Sequence, residues 1–181
     1  MRLLCLCLAL LLPGCAPGDD LAPLPTGTAI YRLAPGDAVR LLTYGEDQLS
    51  GEFRVGDSGT IALPLLGEIV AAGLTPPQLA ASVMAALKRG EILRNPSVAA
   101  EVSAYRPIFV LGEVNKPGQY PYQPGMTMVT AAAVAGGFTY RAIVDYASVV
   151  RTLDGRTVEG KAGRQAALRP GDVVTVFERR F

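Results

Sequence analysis

Short segments that alternate apolar and polar residues dominate the chain after residue 28, and turn-forming residues separate them. A period of two is typical of β-strands that place one face on a core. In the first half these segments are 38–42, 52–55, 60–64 and 97–104. Residues 56–59, with the sequence Gly-Asp-Ser-Gly, predict a hairpin loop between the second and third segments. The pattern therefore favours small sheets.

One stretch between these strands has the signals of an amphipathic helix. Thr75 can cap its first turn, Pro76 suits the first helical position, and Gly90 can end it. Apolar residues recur at steps of three and four and form one face: Leu79, Val83, Ala86 and Leu87. We expect a helix that covers a small sheet.

A second unit is predicted to begin at Tyr105. Its expected strands are 108–111, 119–122, 149–153, 157–159 and 173–177, and its expected helix is 128–135. Asp154-Gly155 is a favoured turn between the third and fourth of these strands. The fold class predicted for the whole chain is α+β, with a mixed sheet and one helix in the first unit and one helix on a sheet in the second.

The sequence also contains a short internal repeat. Residues 33–41 match residues 168–176 at Leu, Pro, Gly, Asp and a following Val. Proline presets the first corner of a tight turn, glycine accepts a positive φ, and aspartate can bind nearby backbone N–H groups. Each copy is expected to start a strand.

The first fifteen residues indicate export. Arg2 precedes an apolar run over 3–12, which is too short to cross a bilayer as a helix but suits a secretory signal. Residues 12–15, Leu-Pro-Gly-Cys, resemble the bacterial lipobox, which implies a signal peptide over 1–14 and acylation of Cys15. Residues 15–28 then read as an extended, lipidated tether. The alternative is an apolar terminus that packs on the domain.

Composition argues against several classes of function. The formal net charge is +1, so there is no excess of cations to bind nucleic acid. The chain has no histidine, which removes the commonest general base and metal ligand. Its adjacent acidic residues, such as Glu46 and Asp47, lie in a polar stretch that gives no reason for a raised pKa. We therefore expect no enzyme activity, no metal and no cofactor.

The tyrosines leave two interpretations open. They could stack on sugar rings, or they could be half-buried in strands with the hydroxyl at the surface. The residues concerned are Tyr31, Tyr44, Tyr105, Tyr120, Tyr122, Tyr140 and Tyr146.

Several motifs in order resemble those of a known family. In the first half they are YRLAPGD (31–37), GTIALPLLGEI (59–69), GLT (73–75) and NPSV (95–98). In the second half they are VLGEVNKPG (110–118) and AGGF (135–138). The first set resembles the polysaccharide export domain of bacterial outer-membrane exporters of capsule and exopolysaccharide. The second is similar to the SLBB-like β-grasp module that accompanies it.

The resemblance implies domain bounds of 29–104 for the export domain and 105–181 for the SLBB-like domain, including a C-terminal strand. It also implies structural or interface roles for the matching motif residues. These are Pro35, Gly36, Asp37, Pro64, Gly67, Gly112, Glu113, Val114, Pro117, Gly118, Gly136 and Gly137.

The same resemblance implies a function. Such lipoproteins assemble into homo-oligomeric rings around a periplasmic passage for polysaccharide, and they pair with an inner-membrane polysaccharide co-polymerase that is often coupled to a tyrosine kinase. Ala16 rather than Asp after Cys15 favours the outer membrane. The chain ends without the C-terminal amphipathic helix of larger members, so a separate outer-membrane β-barrel partner is expected. The alternative functions are a monomeric periplasmic lipoprotein that binds a glycan or ligand, and an exported carbohydrate-active enzyme.

Overall fold

A computed structural model describes residues 17–25, 30–153 and 155–179. The predicted signal peptide and the acylation site at Cys15 lie outside the described residues. The elements in chain order are β1 (Ala38–Thr43), β2 (Gly51–Arg54), β3 (Thr60–Leu63), β4 (Gly67–Val70), α1 (Pro76–Arg89), β5 (Val98–Ala104), β6 (Ile108–Gly112), β7 (Gly118–Tyr120), α2 (Met128–Val134), β8 (Tyr146–Leu153), β9 (Arg156–Gly163) and β10 (Val173–Val176). The predicted α+β class is confirmed.

The first unit, residues 30–104, contains two small sheets and α1. β1 lies between β2 and β5 in an antiparallel three-stranded sheet, and β3 pairs with β4 in a separate antiparallel hairpin. The sheet is thus antiparallel where the sequence predicted a mixed one. Side chains from the sheet, the hairpin and α1 share one apolar core that includes Leu33, Val39, Leu41, Ile61, Leu79, Val83 and Leu87.

The prediction of a hairpin between β2 and β3 is wrong. The Gly56 N–H donates to the Thr60 carbonyl at 2.8 Å, which closes the loop, but the two strands then pair with different partners. β2 already pairs with β1, whereas β3 reverses into β4 through three residues. Gly67, with φ at +70°, allows this tight reversal.

The expected helix in the first unit is confirmed. It begins after Thr75, whose side chain accepts the Gln78 N–H, while the Gln78 side chain accepts the Thr75 N–H. This capping box satisfies two donors that the first turn would otherwise leave free. Lys88 and Arg89 lie in the last turn, where positive charge complements the helix dipole.

The second unit, residues 105–179, is a five-stranded sheet with α2 on it. The strand order is β7-β6-β10-β8-β9; β6 and β10 are parallel, and the other pairs are antiparallel. α2 begins with a second capping box, between Thr127 and Thr130, and its alanines at 131 and 132 are fully buried. Small residues at these positions let the helix approach the sheet closely.

The segment 17–25 packs against the second unit, where the sequence predicted an extended tether. Pro23 forms a parallel bridge with Lys161 on β9, and the Leu24 N–H donates to the Lys161 carbonyl at 2.9 Å. The Leu24 side chain is buried in the core of the second unit. The segment packs there because β9 is an edge strand with unpaired backbone groups and Leu24 gains an apolar site.

No helix within the described ranges has the length and apolar character needed to cross a membrane.

Candidate functional site

The two Pro-Gly-Asp turns of the internal repeat lie together where the first and second units meet. In each turn the aspartate carboxylate accepts the backbone N–H three residues earlier: Ala34 to Asp37 at 2.8 Å, and Arg169 to Asp172 at 2.7 Å. The glycines have φ values of +94° at Gly36 and +85° at Gly171, which a side chain would strain. The repeat thus encodes one turn geometry, used once at the edge of each unit.

Arg106 connects the two turns. Its backbone N–H donates to Asp37 Oδ1 at 2.9 Å, and its Nη1 lies 3.3 Å from Asp37 Oδ2. On its other side a Cβ added to Gly171 would lie 2.8 Å from Arg106 Nε, and the Gly171 N–H donates to the Pro107 carbonyl at 3.0 Å. Arg106 therefore lies in the segment between β5 and β6 with one turn on each side.

Asp172 is held by a second arginine. Arg151 on β8 donates from Nε to Asp172 Oδ1 at 2.9 Å and from Nη2 to Oδ2 at 2.7 Å. The guanidinium also donates to the carbonyls of Ala167 and Pro25, at 2.9 and 3.3 Å. Both charged side chains are almost fully buried, 3% and 1% exposed. A buried carboxylate and guanidinium tolerate this environment because each neutralises the other.

Three tyrosine rings contact one another in succession across the junction. The Tyr31 and Tyr105 rings meet edge to face with centroids 5.0 Å apart, and Tyr105 meets Tyr122 in the same way at 5.5 Å. The Tyr31 hydroxyl donates to Asp37. Burial, and then this hydrogen bond to the carboxylate, raise the pKa of Tyr31 above its ordinary value. Burial also raises the pKa of Tyr122. The junction tyrosines are half-buried, but they lie outside the strands and the Tyr31 hydroxyl bonds the buried Asp37, whereas Tyr44 and Tyr140 are 89% and 87% exposed.

A groove of about 620 Å³ opens at this junction. Its walls come from both units and include Leu33, Pro35, Pro170, Tyr31 and Tyr122. Among the described residues, the charged side chains that line the groove are all arginines: Arg32, Arg106, Arg151 and Arg169. Its size and mixture of apolar, aromatic and cationic groups are typical of a small-molecule site.

A second cluster of motif residues lies at the end of β6. A Cβ on Gly112, whose φ is +80°, would lie 2.1 Å from the Val176 carbonyl oxygen of β10. The Thr139 hydroxyl donates to the Glu113 carboxylate at 2.5 Å, and Val114 is buried and forms a bridge with Phe138.

The glycines after α2 join this second cluster. Gly136 and Gly137 have φ values of +82° and +85°. Asn115 donates from its backbone to the Gly137 carbonyl at 3.0 Å and from Nδ2 to the Gly136 carbonyl at 2.8 Å. The loop 112–118 is thus fastened to the end of α2, with Pro117 and Gly118 at the turn into β7.

The motif residues therefore fall into three places. Pro35, Gly36 and Asp37 lie at the junction, and the group from Gly112 to Gly118 lies with Gly136 and Gly137. Pro64 and Gly67 lie apart from both, at the reversal of the β3–β4 hairpin, next to Leu65, which has φ at +65° and a side chain 74% exposed.

Sequence reasoning missed the arginines of the junction. The repeat placed Asp37 and Asp172 in equivalent turns, which was the available signal, but their partners Arg106 and Arg151 follow no pattern relative to them. Arg106 is 69 positions from Asp37 in the chain, and Arg151 is 21 positions from Asp172.

Comparison with known proteins identifies both halves of the chain. Residues 26–103 match the family described as "Polysaccharide biosynthesis/export protein", and residues 107–162 match the SLBB domain. The chain is 38% identical over 90 residues to the exopolysaccharide production protein ExoF of Rhizobium meliloti (strain 1021), covering 49% of this chain and 21% of that protein. It is 31% identical over 110 residues to the polysialic acid transport protein KpsD of Escherichia coli, covering 59% of this chain and 19% of that protein. The chain thus spans about a fifth of the length of these curated relatives.

Proposed function

The chain belongs to the polysaccharide export protein family, and from this premise we propose that it is a ring-forming lipoprotein subunit of a capsule or exopolysaccharide export channel. Many copies would border a periplasmic passage through which the polymer slides. The observation that carries this proposal is the pair of matched domains in order, an export domain followed by an SLBB domain.

The chemistry of the buried charges supports a role without catalysis. Asp37 and Asp172 are buried carboxylates, but each is saturated by an arginine and by backbone donors in a tight turn. General acid–base catalysis by a carboxyl group requires that this group can exchange a proton with a substrate. These two carboxylates instead stabilise the junction, so movement of polymer would draw its energy from partners.

The position of the N-terminal segment supports a lipid anchor next to the second unit. The Tyr146 hydroxyl donates to the Pro17 carbonyl at 3.0 Å, so the chain is fixed two residues after Cys15. Two extended residues span about 7 Å. Acyl chains on Cys15 would therefore hold the second unit near the outer membrane, with the body of the protein in the periplasm.

Ring assembly and its partners complete the proposal. A ring requires head-to-tail contacts whose rotation closes a circle. Large apolar side chains are exposed on both units, among them Leu42, Leu65 and Val70 on the first and Leu111 and Val134 on the second. Such residues are candidates for subunit contacts. An inner-membrane polysaccharide co-polymerase, with or without its tyrosine kinase, would supply the polymer, and a separate outer-membrane partner would continue the passage.

Deletion of the gene tests the export role. We expect surface polysaccharide to disappear while polymer precursors accumulate inside the cell, and restoration when the gene is returned. Surface polymer at the wild-type level in a clean deletion would refute the proposal.

A second candidate is a monomeric periplasmic lipoprotein that binds a glycan. The groove at the junction favours it, because its volume and lining suit a sugar. Under this alternative the deletion strain would keep its surface polymer, and the purified protein would be a single chain.

A further inference from the structure

The charged residues that line the groove at the junction, among those described, all have the same sign. Arg32, Arg106, Arg151 and Arg169 line it, and no carboxylate of the described residues does. The two buried carboxylates nearby are already occupied by hydrogen bonds within their turns, and Asp37 is fully buried. Arg106 and Arg151 are ion-paired with these carboxylates, and Arg32 adds an exposed guanidinium to the wall of the groove.

Two of these arginines have donor capacity toward the groove. Arg32 is exposed and donates from Nη1 to the Gly73 carbonyl at 2.7 Å. Arg106 contacts Asp37 and Tyr31 through Nη1, and its side chain is 26% exposed. A guanidinium carries five N–H donors in a planar fork that matches a carboxylate. The one bond of the Arg32 guanidinium and the two contacts of the Arg106 guanidinium leave further N–H donors on each side chain for a ligand.

The remaining walls suit a sugar ring. Tyr31 and Tyr122 supply aromatic surface, and Pro35 and Pro170 supply apolar surface against which the C–H face of a pyranose can pack. Sites for small ligands commonly have volumes of about 300–1,000 Å³, which includes the volume of this groove.

We infer that this groove binds a sugar residue that carries a carboxylate, with Arg32 and Arg106 on the carboxylate and the two tyrosines beside the ring. The inference rests on the proposed function for the source of the sugar, which is the exported polymer. The junction would then contact acidic polymers selectively, whereas a passage without this site would not distinguish polymers by their charge.

Calorimetric titration of the full acylated protein in detergent tests the inference. The probes are the tetrasaccharide of galacturonic acid and its carboxyl-reduced counterpart, which has the same linkages and no charge. We expect the acidic tetrasaccharide to bind at least about tenfold more tightly, because a charge-assisted hydrogen bond accounts for about that factor. Added salt should weaken the difference. Equal affinity for the two probes, or no binding of either, would overturn the inference.

Variants locate the site. Arg32→Gln should weaken binding of the acidic probe about tenfold. Arg32→Lys keeps the charge but loses the planar fork, so it should recover only part of that loss. Arg94→Gln, at an exposed arginine outside the groove lining, should leave binding unchanged. An unchanged affinity in Arg32→Gln would refute the assigned geometry. The comparison of the two probes uses the wild-type protein, so it holds even where a variant is less stable.

Different results would refute the export role and the sugar site in the groove. Loss of surface polymer on deletion, together with no binding of the acidic probe, would retain the export role and remove the groove as a site. Binding of the acidic probe by a protein whose deletion leaves surface polymer unchanged would retain the site and remove the export role.

Discussion

The ion pair between Arg151 and Asp172 is the interaction whose loss should cost the most stability. In Asp172→Asn the side chain keeps its size, but the buried guanidinium loses its counter-charge while retaining the carbonyls of Ala167 and Pro25. Removing one partner of a buried pair costs about 3–5 kcal/mol, because the other charge stays desolvated. We therefore expect the free energy of unfolding to fall by that amount.

A matched control uses an exposed pair in the same unit. Arg141 and Glu178 contact each other with side chains 47% and 45% exposed, so Glu178→Gln should cost less than about 1 kcal/mol. Urea unfolding followed by far-ultraviolet circular dichroism gives both values. If Asp172→Asn lowers the free energy of unfolding no more than Glu178→Gln does, the buried ion pair does not stabilise the protein as expected.

Three further predictions concern single residues. Gly112→Ala should lower the free energy of unfolding by about 2–5 kcal/mol, because it adds a clash with the Val176 carbonyl to the strain of a positive φ. The control is Gly125→Ala, where φ is +83° and a Cβ would meet open space; it should lower the free energy of unfolding by about 1–2 kcal/mol in the same urea assay. Equal losses in the two variants would contradict a role for the Val176 contact. Because burial and the hydrogen bond to Asp37 raise the pKa of Tyr31 in the folded state, its contribution to stability is complete below about pH 10 and falls above it by up to about 1.4 kcal/mol per pH unit. Tyr31→Phe should reduce this alkaline loss of stability in the urea assay, and an unchanged slope would show that folding does not raise the pKa of Tyr31. Cys15→Ser should move the protein from the membrane to the soluble fraction with its circular dichroism unchanged, whereas incorporation of labelled palmitate into this variant would show that the anchor lies elsewhere.

Elements with local signals could be predicted from the sequence. α1 begins after Thr75 and ends before Gly90 because capping and apolar periodicity act within a few residues. The strands after the two Pro-Gly-Asp turns could be predicted for the same reason, because each turn fixes the direction of the residues that come next. Leu153 and Arg156, on either side of the predicted turn, lie opposite each other in the antiparallel pair of β8 and β9.

Pairings between distant segments could not be predicted in this way. The two-residue period of β3 shows which face is buried, but it does not choose between β2 and β4 as a partner. Segment 17–25 is rich in proline and aspartate and reads as a tether; burial of Leu24 depends on a site formed by residues more than a hundred positions later.

The candidate site was predictable only in part. Asp37 was selected through its motif, and the repeat placed Asp172 in an equivalent turn. The groove itself depends on Arg106 and Arg151, whose positions beside these carboxylates follow from the packing of the two units.

The mass and shape of the native assembly show whether the protein forms a ring. Acylated protein extracted from membranes with mild detergent can be weighed by native mass spectrometry and imaged by electron microscopy. We expect a mass that is a fixed multiple of the mass of one chain, and annular particles with a central opening. A single-chain species, even when the proposed membrane partners are co-expressed, would contradict this expectation.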